Sequence, residues 1–547
     1  MSPYRLLLPV LALLLAAPAL AAAQDATPLA TPADGNGALV VHTPSGALGG
    51  VANGATTEWR GVPYAAAPVG DRRWRPPAPV DPWQGVRDAT QFAEVCAQVN
   101  MGPDGGITGR EDCLYLNVFV PADAPAGAGL PVMVYLHGGS NLVGGPFTNA
   151  DGFVARGVIM VTVAARLGVF GYAGHPALSA EGGGPSGEYG LLDQIAAFGW
   201  VRDSIAAFGG DPANVTLSGY SAGSADGFAL VASPLARGLF RQAALPTATW
   251  PEGVPIAGAE AFGLSVADAV GCAAASDIAA CLRAASAEDL VLAFGLHDLQ
   301  PWTGGAVLPR SPLELIGEQH PTIPLLVGSS REEAGVAVPA VGAGSPYGTA
   351  EWIRDTDALV GPERGDTARA LYPPDRYDSP LWATVALYTD ATFACPTRRL
   401  ALAADGPVWR YLYTHQIEND PDVAKLRAIH IADEAVLWHD PNGIRVVRLI
   451  NGLGPAPSPY VFTPAEEDLS ARMTDAWTNF AKTGDPNGPG VPAWPRYDAA
   501  GERTLVLDTV VGEVTFYHRD ECAFADALPA LFPEPSPAAT PAATPTS

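Results

Sequence analysis

Basic residues are scarce in this chain of 547 residues, with 31 Lys and Arg against 57 Asp and Glu and a formal net charge of −26. A chain this acidic repels phosphate backbones and anionic lipid surfaces. Nucleic acid is therefore excluded as a partner, and the charge is read as keeping the protein in solution. There are only six cysteines, none before Cys96 and none beside a His at metal-ligand spacing. A lipid-modified N-terminal Cys and a zinc site are both excluded, and no metal or other cofactor is expected. No long apolar run follows the N-terminal one, so no membrane anchor is expected. The chain also lacks a repeat of fixed period and an internal linker. Charged residues make up 16% and hydrophobic residues 48%, which suits one large domain with a sizeable core.

The ends differ from the body. Arg5, the apolar run from Leu6 to Leu20 and the small residues Ala21, Ala22 and Ala23 have the pattern of an export signal over 1–23. Residues 24–37 form a flexible lead-in, 38–532 the folded domain, and 533–547 (PEPSPAATPAATPTS) a low-complexity tail expected to be disordered. Export leads to periplasm or medium, where six cysteines suggest three disulfides and sequence alone allows 15 pairings. Proximity favours Cys96 with Cys113 and Cys272 with Cys281, which leaves Cys395 for Cys522.

Strands alternate with helices along the body. Apolar runs at 130–139, 157–166, 215–224, 321–330 and 408–415 read as strands, and 191–210 reads as a helix ending in Gly. Continuous apolar strands joined by crossover helices predict an α/β fold with a buried, mostly parallel central sheet flanked by helices.

One turn in this pattern carries chemistry. Gly219-Tyr220-Ser221-Ala222-Gly223 fits G-x-S-x-G, with a β-rich run before it and a helix-compatible run after it. That context makes Ser221 a nucleophile on a tight strand-to-helix turn. A serine hydroxyl needs a base, and the base needs an acid to orient it. Chain order predicts an acid at 332 or 333 followed by His415, His430, His439 or His518, and spacing does not choose among these. His137-Gly138-Gly139-Ser140 ends a strand as an oxyanion-binding HGGG-type loop does.

The sequence resembles the type-B carboxylesterase family over residues from about 40 to 530. The blocks that carry this are RGVPYAAAPVGDRRWRPP (60–77), EDCLYLNVFVP (111–121), RLGVFGY (166–172), GLLDQIAAFGWV (190–201), FGGDPANVTLSGYSAGS (208–224) and SPLARGLFRQA (233–243). The resemblance implies the α/β-hydrolase fold and a secreted serine esterase acting on a small-molecule ester. It aligns the family acid with Glu333 in GSSREEAG and the family base with His430 in AIHIADE. It implies Gly139, Ser140 and Ala222 as oxyanion donors and Asp390 and Thr247 as supporting residues near the triad. The three Cys pairs above match pairs known in the family. An amidase or carbamate hydrolase on the same triad is the alternative, with a catalytically inactive binding domain behind it.

Four departures from the family pattern are expected to reshape the substrate wall. Tyr220 stands where Glu is usual, Asn141 where an aromatic is usual, Ala164-Ala165 for Asn-Tyr, and Glu188 for Asn. Residues 96–113 contain no Trp, Tyr or Phe, so the cation–π contact that binds choline in cholinesterases is not expected there.

Overall fold

The strands are apolar on both faces because both faces are covered. In the computed structural model, residues 39–528 are described, apart from 103–104, 126, 248–252, 297–298, 320 and 456–457. The export signal, the lead-in and the tail expected from the sequence lie outside the described residues. Eleven strands form the main sheet: β1 (Val51–Asn53), β2 (Thr56–Pro63), β3 (Tyr115–Pro121), β4 (Leu130–Leu136), β5 (Ile159–Val163), β6 (Gly210–Gly219), β7 (Gln242–Pro246), β8 (Leu325–Ser330), β9 (Val408–Tyr413), β10 (Thr504–Leu507) and β11 (Gly512–Val514). Their spatial order is β11-β10-β9-β8-β7-β6-β4-β5-β3-β2-β1. The strands from β10 to β5 run parallel, and β3, β2, β1 and β11 are antiparallel edges.

Alternate residues serve opposite cores, as a period of two requires. Val132, Val134 and Leu136 of β4 enter one apolar cluster, and Met133 and Tyr135 enter the other. Helices α1 (Gly168–Tyr172), α2 (Tyr189–Ser204), α3 (Ala222–Ala232), α4 (Pro380–Thr389), α5 (Cys395–Ala403), α6 (Ala432–Leu437), α7 (Pro464–Thr483) and α8 (Arg519–Ala525) matter for the site. Leu191 and Phe198 of α2, Phe228 of α3 and Leu400 of α5 cover the first face, and Val436 of α6 and Trp477 of α7 cover the second.

The expected strands are present: four are shorter than their apolar runs, as LPVMVYLHGG is where the chain turns at His137, and the one expected at 215–224 is shifted to Gly210–Gly219. The helix expected over 191–210 stops at Ser204 and tightens to a 3₁₀ turn over Ile205–Phe208. Gly209, at φ 85°, then turns the chain into β6.

The order of strands sets where a ligand can bind. From β4 the chain steps to β5 on one side and later to β6 on the other. The crevice therefore opens at the carboxyl ends of β4 and β6, the usual ligand position in such sheets.

Three disulfides pair Cys96–Cys113, Cys272–Cys281 and Cys395–Cys522, with Cα–Cα distances of 4.9, 5.7 and 5.2 Å. The third joins α5 to α8 across 127 residues of sequence. Loop closure over that length is worth about 4–5 kcal/mol in the chain-entropy account. Replacing both Cys395 and Cys522 by Ala should lower stability by a few kcal/mol, read as a drop in urea midpoint; an unchanged midpoint would show that α8 is held by its other contacts alone.

Candidate active site

Successive strands deliver the expected residues to one end of the sheet. The 137–140 loop follows β4, Ser221 follows β6, Thr247 follows β7 and Glu333 follows β8. His430 comes from the long segment after β9.

Ser221 caps α3 with φ 54° and ψ −120°, a conformation that costs a non-glycine residue and persists only when its surroundings hold it. The glycines of the motif permit this. A Cβ on Gly223 would lie 2.1 Å from the carbonyl oxygen of Leu136, so the elbow packs directly on the end of β4. The Ser221 N–H donates to Thr247 Oγ1 at 2.8 Å. Thr247 is itself at φ 56° and donates its N–H to the Gly328 carbonyl at 2.7 Å.

His430 Nε2 lies 3.1 Å from Ser221 Oγ, and its Nδ1 hydrogen-bonds Glu333 Oε1. The second Glu333 oxygen accepts from the Ser330 N–H. The two loops meet because Glu332 and Ile429 form an isolated parallel bridge, which extends β8 alongside the chain before His430. Glu332, left open with Glu333 by sequence order, faces elsewhere. Its carboxylate accepts from Arg331 Nε at 2.8 Å and from the Ala428 N–H at 3.2 Å. His415 bonds Asp508 and Glu466, and His518 bonds Asp390. His439 stacks on Phe462 at 4.6 Å. Of the four candidate histidines, only His430 reaches Ser221.

Gly139, Ser140 and Ala222 surround the crevice. Gly139 has φ 113°, and a Cβ there would come within 2.0 Å of the Val143 carbonyl oxygen. Among the described residues, no hydrogen-bond partner takes the N–H of Gly139, Ser140 or Ala222. The loop that carries the first two packs on the serine turn: a Cβ on Gly138 would lie 3.1 Å from Ser221 Cβ. Asp390 is buried and bonds the Tyr372 hydroxyl at 2.8 Å and His518 Nδ1 at 2.7 Å. Its neighbours reach the site instead: Thr389 Oγ1 accepts from the Ala334 N–H, and the Phe393 ring lies 5.8 Å from that of His430.

All four departures are buried, which corrects the expectation that they reshape the substrate wall. Glu188 accepts from the N–H groups of Ala306, Val307 and Leu308 and anchors that loop. Asn141 is buried, and its amide donates to Asp226. Tyr220 is buried, with its ring 5.2 Å from that of His430. The Tyr220 hydroxyl donates to Asp433 Oδ1 at 2.7 Å and accepts from the Ile431 N–H at 2.7 Å. Ile431 has φ 78°, so this bond holds a strained residue next to the imidazole. Ala164 and Ala165 are also buried, and the Ala164 carbonyl accepts from the Tyr64 hydroxyl at 2.6 Å.

Sequence reasoning missed Asp433 and Asp226, both buried, and the half-buried Glu434 beside Asp433. The available signal was charge inside apolar pattern, since Asp226 is the one charged residue between 222 and 232. Burial drives the His430 imidazole toward its neutral form. The carboxylates of Glu333, Asp433 and Glu434 outweigh that, so its pKa stands above the ordinary 6.5. Burial raises the Glu333 carboxyl, and the imidazolium opposes the rise. If neutral His430 is the working form, kcat/KM is full at high pH and falls as pH drops through a midpoint above 6.5. Asp433→Asn removes one carboxylate and should move that midpoint down, measured on a p-nitrophenyl ester across pH 5–9 (roughly the usual histidine range). Among the described residues, no three His, Cys, Asp or Glu side chains group as metal ligands.

A parallel sheet with a serine elbow at its switch point and an imidazole and carboxylate from later strands defines an α/β-hydrolase. The profile of the carboxylesterase family matches residues 37–525. The chain is 34% identical to a fumonisin B1 esterase of Sphingopyxis macrogoltabida, covering 85% of each sequence. It is 32% identical to the para-nitrobenzyl esterase of Bacillus subtilis, over 86% of this chain and 95% of that one. A solved carboxylesterase of Geobacillus stearothermophilus superposes with a TM-score of 0.75 at 30% identity, over 89% of this chain and 99% of that one. The chain belongs to the carboxylesterase family and is a carboxylic ester hydrolase of its type-B branch.

Proposed function

We propose that the chain is an exported serine esterase that cleaves small carboxylic esters through an acyl-enzyme on Ser221. One observation carries this reading: Ser221 Oγ sits 3.1 Å from His430 Nε2, whose other nitrogen is bonded to a buried carboxylate. His430 takes the Ser221 proton as Oγ attacks the ester carbonyl, and Glu333 fixes the tautomer and stabilises the imidazolium. The N–H groups of Gly139, Ser140 and Ala222 receive the oxyanion. His430 then protonates the leaving alcohol, and water repeats the cycle on the acyl-enzyme. The relatives named para-nitrobenzyl esterase and fumonisin B1 esterase support an ester as substrate. Export is supported by the N-terminal pattern and by three disulfides, which persist in oxidising compartments. Among the described residues, no helix is long and apolar enough to cross a membrane.

The test is labelling with a fluorophosphonate followed by peptide mapping. One adduct on the Ser221 peptide, with loss of p-nitrophenyl ester turnover in step, is the expected result. An adduct on another serine, or turnover that survives labelling of Ser221, overturns it.

A further inference from the structure

Asp226 has no part in the chemistry above, yet it is a fully buried carboxylate one turn into the helix that begins at the nucleophile. It accepts three neutral donors: Asn141 Nδ2 at 3.0 Å, the Tyr172 hydroxyl at 2.9 Å and Gln194 Nε2 at 2.5 Å. Among the described residues, no Lys, Arg or His pairs with it. Burial pushes its carboxyl up to about 6 against the pull of those donors. The carboxylate form accepts all three. A lone buried anion is costly to a fold, so the position of its partners matters.

Those partners come from the three pieces that frame the oxyanion loop: the loop itself, α1 and α2. Asn141 follows Gly139 and Ser140 directly. Ser140 and Asn141 have φ 56° and 57°, two successive non-glycine residues in the left-handed region. Such a pair relaxes unless something holds it. The Asn141 amide also donates to the Leu299 carbonyl at 3.3 Å, and its backbone carbonyl accepts from the Gly168 N–H at 2.8 Å. Asp226 is the one charged group in this set. It ties the oxyanion loop to the same helix that presents Ser221.

We propose that Asp226 is a positioning residue that clamps Asn141 and so holds the Gly139 and Ser140 N–H groups in register with Ser221. This rests on the reading of those N–H groups as oxyanion donors.

The experiment compares Asp226→Asn, Asn141→Ala and the double variant in the full-length, disulfide-bonded protein, with Ser221→Ala as control. Removing an oxyanion donor outright typically costs about 10²–10³-fold in kcat, and loosening donors that remain present costs less, so each single variant should lose about 10–100-fold in kcat with KM nearly unchanged. The double should lose no more than the worse single, since both break one link. A trifluoromethyl ketone, which forms a tetrahedral oxyanion on the serine, should lose affinity by a factor similar to the kcat loss. Amide hydrogen exchange over 138–144 should quicken in Asp226→Asn. Singles that keep kcat within about twofold, or a double that multiplies the two losses, overturn the clamp. So does unchanged exchange over 138–144. Should Asp226→Asn fail to fold, Asn141→Ala decides alone by kcat and by exchange. Activity that survives Ser221→Ala overturns the reading of the serine instead, and the exchange data still decide the clamp.

Discussion

Ser221→Ala is expected to lower kcat for p-nitrophenyl acetate by about 10⁴–10⁶-fold while leaving the fold intact, because removing one member of a unit that acts together forfeits nearly all that the unit contributes. The residual rate over water would come from binding and the oxyanion N–H groups. The fold should survive because the hydroxyl is bonded to His430 alone among the described residues. The strained backbone is instead held by the Thr247 bond to the Ser221 N–H, by Gly223 against Leu136 and by the first turn of α3. Steady-state kinetics and a circular dichroism melt on the same preparation check both halves. A drop of less than about 100-fold would be smaller than the loss of one oxyanion donor and would remove Ser221 from the nucleophile role. Running the same pair of proteins across acyl chains from acetate upward would also size the acyl pocket.

Glu333→Gln and Glu332→Gln form the second comparison, and they should differ by orders of magnitude although the two residues are neighbours. Glu333→Gln keeps the shape and removes the charge that fixes the His430 tautomer. The analogous change in a serine-protease triad costs about 10⁴-fold in kcat. Glu332→Gln should stay within about tenfold, since its carboxylate bonds Arg331 and the Ala428 N–H and an amide retains one acceptor (typically about 1 kcal/mol, or under tenfold, per bond). Equal losses in both variants, or a larger loss in Glu332→Gln, would reassign the acid. The pH profile gives an independent readout. Without the Glu333 charge the His430 pKa falls, so whatever activity remains in Glu333→Gln should persist to lower pH than in the wild type.

Local chemistry was legible in the sequence where a rule acts over a few residues. Ser221 could be read from G-x-S-x-G because a sharp turn with close backbone approach demands small neighbours at fixed offsets. The parallel sheet could be read from runs such as IMVTV and LLVGSS, since strands covered on both faces cannot alternate. The helix expected to 210 ran too far because apolar periodicity does not separate an α-helix from the 3₁₀ turn that fills Ile205–Phe208. Chain order left four histidines and two glutamates open. Only the resemblance to known carboxylesterases pointed to His430 and Glu333.

The inward roles of Tyr220, Asn141 and Glu188 were not legible. A polar residue beside an active-site motif reads the same whether it faces a substrate or a buried acid 85 or 213 positions away, as Asn141 and Tyr220 do with Asp226 and Asp433. By itself the sequence determined the class of fold and located the serine turn and the glycine loop after β4, because backbone sterics and hydrophobic period are written in adjacent residues. Residue-level rules left open which imidazole and carboxylate stand in line with Ser221, and the packed structure brings His430 and Glu333 there and sets which acids lie around them. Those contacts join segments 97 and 209 residues apart, and only the packed sheet sets such distances.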